Sequence, residues 1–128
     1  AAAEEDRPVV ILPTNTCFDD ALDFMEDLAR NYPAALAFEG YKLIHAICLM
    51  PDGERYAHAW VEDNAGRAHF FGMIGGEKKR IVKDAKWYRL ELRVQEFREY
   101  NVHQAWAENK KHGTYGPWVE KYKELCRK

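Results

Sequence analysis

The sequence predicts an α+β domain: a helix bearing Cys17, packed on an antiparallel sheet of about four strands, with additional helices toward the C-terminus. Three observations carry this expectation. Phe18, Ala21, Leu22, Met25, Leu28 and Ala29 recur at the spacing of one helix face. Between Tyr41 and Ile74, three β-rich runs are separated by Pro51-Asp52-Gly53-Glu54 and Asp63-Asn64-Ala65-Gly66, turn chemistry that joins neighbouring strands into a meander. The chain of 128 residues is 47% hydrophobic, enough for one core without disulfide or metal staples. A single domain over residues 1–128 is therefore expected, with 1–8 a loose acidic lead.

Taken in order, Val9-Val10-Ile11-Leu12 is a short apolar segment stopped by Pro13. Thr16 suits an N-cap, with Asp19 placed to complete an acidic capping box, and Asp20, Asp23, Glu26 and Asp27 fall largely outside the buried stripe. Pro33 disfavours helical geometry at Tyr32, so the helix should stop near Asn31. A hairpin spans Tyr41 to Glu62, and a third strand runs from Arg67 to Ile74. Gly75-Gly76 and the basic run Lys78-Lys79-Arg80 read as a loop, Asp84 to Leu92 as a short helix, and Leu92 to Tyr100 as a fourth strand. Asn101 with Gln104 makes a capping box for the next helix, which Gly113 closes. Pro117 suits the first position of a last helix.

Charge excludes some partners. Nineteen basic residues against 21 acidic ones give a net charge of −2, with no basis for general nucleic-acid or membrane binding. No apolar stretch approaches the roughly 20 residues that cross a bilayer. Ala1-Ala2-Ala3-Glu4-Glu5-Asp6 lacks the basic start and apolar middle of a signal peptide, so a cytoplasmic location is expected. Three scattered cysteines, Cys17, Cys48 and Cys126, form neither a disulfide framework nor a zinc motif, and no cofactor is implied.

Cys17 is the one cysteine placed for chemistry. The first turn of a helix offers unpaired backbone N–H groups and a positive dipole end that favour a thiolate, opposed here by Asp19 and Asp20. On the hairpin, alternation puts His58, Trp60 and Glu62 on one face and Ala59 and Val61 on the other. With simple turn registers His58 lies opposite Ile47 and Phe71, and His45, Trp60 and His69 form the next row on the same face. Cys48 then belongs to the opposite face, and Cys126 is incidental. A helix-start cysteine and a strand histidine form a nucleophile pair: imidazole takes the thiol proton and sulfur attacks an acyl carbon.

At Thr16-Cys17 and His58-Ala59-Trp60-Val61-Glu62 the chain resembles the papain-like and transglutaminase-like cysteine enzymes, and the second motif is also similar to that of bacterial peptidases that trim leader peptides. A closer resemblance is to small bacterial and phage proteins of this superfamily, which share Tyr41-x-Leu-Ile-His45, the His58 motif and Tyr115-Gly116-Pro117-Trp118. It covers roughly Asn15 to Trp118, and it implies a cysteine helix on an antiparallel sheet with Cys17 and His58 as the pair. The family pattern places an aspartate on the strand after the histidine, where this chain has His69-Phe70-Phe71. Glu62 lies roughly 13 Å along the strand from His58, too far for a hydrogen bond.

The expected function is cysteine-dependent acyl chemistry on a peptide or amide bond, either hydrolysis or amide transfer, with a peptide or protein as substrate. Cys17 is the expected nucleophile, His58 the base and His69 the orienting group, with Asn101, Gln104 or a backbone carbonyl as alternatives. Trp60 is expected as a cleft wall, and His45 as a further substrate contact. The competing expectation is a protein-binding module on the same scaffold with an impaired catalytic site. A minor one is metal binding through His45, His58 and His69.

Overall fold

The computed structural model describes residues 11–34 and 40–126; the lead over 1–8 lies outside the described residues. Among these residues are helix α1 (Cys17–Asn31), strands β1 (Lys42–Leu49), β2 (Arg55–Glu62), β3 (Arg67–Ile74) and β4 (Glu77–Asp84), helix α2 (Ala85–Glu91), strand β5 (Glu96–Tyr100), and helices α3 (Val102–His112) and α4 (Glu120–Cys126). The architecture is α+β, with one antiparallel sheet of order β4-β3-β2-β1-β5. No helix among the described residues is long and apolar enough to cross a membrane.

β2 is the middle strand and is covered on both faces. Ala59 and Val61 join Leu43 against Phe18, Leu22 and Met25 of α1, in a core that also takes Ala105 of α3 and Trp118. Trp60 joins Ile44, Ala46 and Cys48 against Ala85 and Tyr88 of α2, with Ala68 and Phe70 from β3. α2 is thus the one described helix on its side.

The sheet has five strands, one more than expected. Gly75-Gly76 is only the turn of a hairpin, and the basic run beyond it forms β4, paired along its length with β3 from Arg67↔Asp84 to Ile74↔Glu77. Its Lys78 and Lys79 are exposed at the sheet edge, where charged side chains discourage pairing with another chain.

The register differs from expectation by one residue. The turn after β1 closes with Met50 N–H donating to Glu54 O at 2.8 Å, which sets Ala46 opposite His58, Ile44 opposite Trp60 and Ala59 opposite His45. An offset of one reverses the facing of a whole strand. His45 therefore leaves the His58 face for the α1 face, and Cys48 joins the His58 face. On the other side, the β2–β3 ladder runs only through Val61↔His69 and Glu62↔Ala68. Beyond these pairs the strands part, and Leu12 pairs with Met73 instead.

α1 spans the expected residues but begins differently. Thr16 makes no side-chain cap; its Oγ1 donates instead to Asp20 Oδ2 at 2.8 Å. Asp20 is buried rather than solvated, because it also accepts from Thr14 Oγ1 at 3.3 Å and Lys78 Nζ at 2.8 Å. At α3 the capping box of Asn101 and Gln104 is formed as expected, and Gly113 is the left-handed C-cap. α4 starts at Glu120, so Pro117 is not its first residue; the Gly116–Pro117 peptide is cis.

His45 and the segment Tyr115-Gly116-Pro117-Trp118 form one packing unit. His45 sits among Phe18, Tyr100 and Trp118, with ring centroids 4.7, 5.1 and 4.9 Å away. Gly116 closes over the ring: a Cβ there would lie 2.7 Å from His45 Cε1, and its φ of 111° suits glycine. Gly116→Ala should destabilise the fold by about 2 kcal/mol, from backbone strain and overlap with the imidazole. Urea unfolding at pH 7 checks this, and an unchanged midpoint would show that the turn over His45 is loose.

Candidate active site

The site starts from the parting of β2 and β3. Alternation turns His58 toward α2, whereas α1 carries Cys17 on the other face. A closed sheet would separate the two side chains. Because the strands diverge at this level, Cys17, Ala57, His58, Phe71 and Tyr88 line one cavity of about 340 Å³. Residues 11–14 line one side of it, and Lys83, Glu91 and Leu92 line it as well.

Tyr88 fixes His58. Its hydroxyl lies 2.8 Å from His58 Nε2, the only hydrogen bond of this imidazole among the described residues. The phenol ring is itself immobilised, stacked on Phe70 at 4.2 Å and edge-on to Trp60 at 5.2 Å. Burial drives the phenol pKa up, so Tyr88 stays neutral. Tyr88, and not the expected His69, is thus the side chain that holds His58. It comes from a helix that follows a further strand, so no spacing near His58 signals it.

Glu62, at the end of β2, ties Trp60 to α2. It accepts from Trp60 Nε1 at 2.8 Å and takes Arg89 in a two-point ion pair, with Nε at 2.9 Å and Nη2 at 2.7 Å. Arg89 adjoins Tyr88 on α2, so Glu62 anchors the helix that carries the phenol to His58. Trp60 is fully buried under Tyr88 and forms no cleft wall. Its size serves the core.

The remaining expected site residues lie elsewhere. His69 faces α1, and both of its nitrogens are engaged: Nε2 with Asp63 Oδ2 and Nδ1 with Arg80 Nη1, each at 2.8 Å. Arg80 offers only donors, so Nδ1 accepts and the ring is the neutral Nε2–H tautomer. His69 thus cannot orient His58. Its partner Asp63 also accepts from Ala65 N, Arg67 N and Arg67 Nε, tying the β2–β3 turn. Burial works to raise the Asp63 pKa, but the hydrogen bonds from His69 and Arg67 outweigh it and hold the carboxyl below its usual range. Asn101 and Gln104 are spent on their capping box. His45 is enclosed on the α1 face, away from any substrate path, and its buried Nε2 has no partner among the described residues. The three histidines do not converge, and no group of three ligating side chains among the described residues could hold a metal ion.

The resting pair is uncharged. Burial pushes the Cys17 thiol up to about 11, against backbone N–H groups of Ala59 and Phe18 that act to lower it. Burial alone pushes His58 down to about 4. The helix-start thiolate suggested by position is thus overridden by desolvation, and no Cys17–His58 hydrogen bond occurs among the described residues. Cys48 is core and Cys126 is exposed. A second cavity, of about 420 Å³, lies between Tyr41, Val102 and Trp106 and has neither thiol nor carboxylate among its described lining residues.

Comparison with protein-family models, curated proteins and solved structures finds no match.

Burial also makes the fold acid-sensitive. The folded imidazoles of His45 and His58 resist protonation until about 3 and about 4, whereas unfolded ones protonate near 6.5. Stability is complete above 6.5 and falls as pH drops toward the folded values, by about 1.4 kcal/mol per pH unit for each histidine. Urea unfolding between pH 7 and pH 5 should show this loss, and His45→Phe should make it shallower. A flat profile would contradict the burial of both rings.

Proposed function

We propose that the protein performs cysteine-dependent acyl chemistry on peptide or amide carbonyls, with Cys17 as nucleophile, His58 as base and Tyr88 as the group that positions His58. The observation that carries this reading is the shared cavity: a helix-start thiol and a held imidazole, brought from opposite faces of the sheet to one opening between β2 and β3.

The chemistry follows from the tautomer. For His58 to act as a base, Nε2 must carry the proton and donate it to Tyr88 Oη, which leaves the Nδ1 lone pair free. Sulfur attacks the acyl carbon while its proton passes to Nδ1, and His58 then returns that proton to the departing amine. Water or a second amine releases the acyl group by the reverse sequence. The backbone N–H groups of Phe18 and Ala59, which act on the sulfur, are the proposed donors to a tetrahedral oxyanion. The proton moves with the attack, since the resting pair is neutral.

One observation favours a second reading, a peptide-binding module. Neutral thiol and imidazole without a mutual hydrogen bond also describe a site that binds without reacting.

An activated ester separates the two. p-Nitrophenyl acetate should acetylate Cys17, seen by mass spectrometry of the trapped thioester. His58→Ala should slow this about a hundredfold, the usual scale of general base catalysis. Tyr88→Phe should slow it roughly tenfold, the worth of one positioning hydrogen bond, with the fold intact by circular dichroism. Equal acetylation in wild type and His58→Ala would reject the base and leave the binding module.

A further inference from the structure

The cavity is bounded on one side by this chain's own residues 11–14, and the way they are held is unusual. Continued from Val61↔His69, the ladder would place His58 opposite Gly72. β2 turns away before that point, and Leu12 takes the vacated position beside β3. Its N–H donates to Met73 O at 3.0 Å and its carbonyl accepts from Met73 N–H at 2.8 Å. Neither neighbour of Leu12 extends the pairing into a strand; the bridge is isolated. Ile11 fills the space over Gly72, where a Cβ would lie 2.6 Å from Ile11 Cγ2. Thr14 ties the other end to Asp20, which is itself held by Lys78 of β4.

We infer that residues 11–14 form a detachable strap that covers one side of the Cys17/His58 cavity at rest and lifts from it when the Leu12–Met73 bridge is released. The inference rests on the proposed function for the meaning of the cavity, but the strap itself is defined by contacts to β3. Three features favour local release. The bridge has two hydrogen bonds, whereas β3 holds β4 along its whole length. The Leu12 side chain is 58% exposed, so lifting it sacrifices little apolar burial. The strap also runs, two residues on, into the helix that begins at Cys17, and both line the same cavity. Release frees Met73 N–H and C=O at the margin of the cavity. Any extended polypeptide that pairs with them must displace Leu12. The strap is therefore a competitor built into the chain.

Two measurements test it. Leu12→Pro removes the N–H of the bridge without altering β3, Cys17 or His58. Alkylation of Cys17 by iodoacetamide at pH 8 should rise about fivefold, the population change expected for one hydrogen bond, while Cys48 labelling stays constant. An unchanged Cys17 rate would overturn the strap. Native-state hydrogen exchange on the wild-type chain decides the matter even if the variant does not fold. The amides of Leu12 and Met73 should exchange well ahead of those in the β1–β2 ladder, because the bridge opens without global unfolding. Equal protection at both places would show that residues 11–14 are a fixed part of the sheet. Acetylation of Cys17 that ignores His58→Ala, alongside faster labelling in Leu12→Pro, would defeat the catalytic reading and leave the strap standing.

Discussion

The structure depends on burying the middle strand from both sides. β2 must satisfy two cores with one alternating sequence, small residues at Ala59 and Val61 beneath α1 and the larger His58, Trp60 and Glu62 beneath α2. Each choice then constrains the next. Trp60 needs an acceptor for its indole N–H in a dry core, and Glu62 supplies one. A partly buried carboxylate needs a cation, and Arg89 supplies it. Arg89 fixes α2, and α2 brings the Tyr88 hydroxyl to His58. The imidazole is thus held by a chain of polar groups, each of which answers the burial of the one before.

The second constraint is the break between β2 and β3. Asp63 ties the turn tightly, with His69 and Arg67 as its partners, so the strands are pinned at one end. At the other end they separate, and the opening connects the two faces of the sheet. Cys17 and His58 both line the cavity at this opening. The structure shows an α+β architecture, with helix α1 packed on one antiparallel sheet.

Local chemistry was legible in the sequence; distant pairing was not. The apolar spacing of α1, the capping box at Asn101 and Gln104, and the turns after β1 and β2 are encoded by neighbouring residues, and each forms where it was read. Facing failed because it depends on the parity of a turn: one residue at Met50–Glu54 decides whether His45 joins His58 or opposes it. β4 was missed because edge lysines look like a solvated loop. Tyr88 carries no signature near His58 in the sequence, because it lies on a helix beyond a further strand. His69 looked like a candidate only while the register put it on the wrong face.

The proposed chemistry requires a neutral imidazole whose Nε2–H is given to Tyr88 and whose Nδ1 is left for the thiol proton. Nitrogen-15 NMR of the His58 ring reads this directly, with assignment by His58→Gln. The predicted result at pH 7 is a neutral ring protonated at Nε2, whose signals shift to the imidazolium pattern only near pH 4. Loss of that tautomer preference in Tyr88→Phe would place the hydroxyl as its cause. A ring protonated at Nδ1, or a full imidazolium at pH 7, would contradict the account.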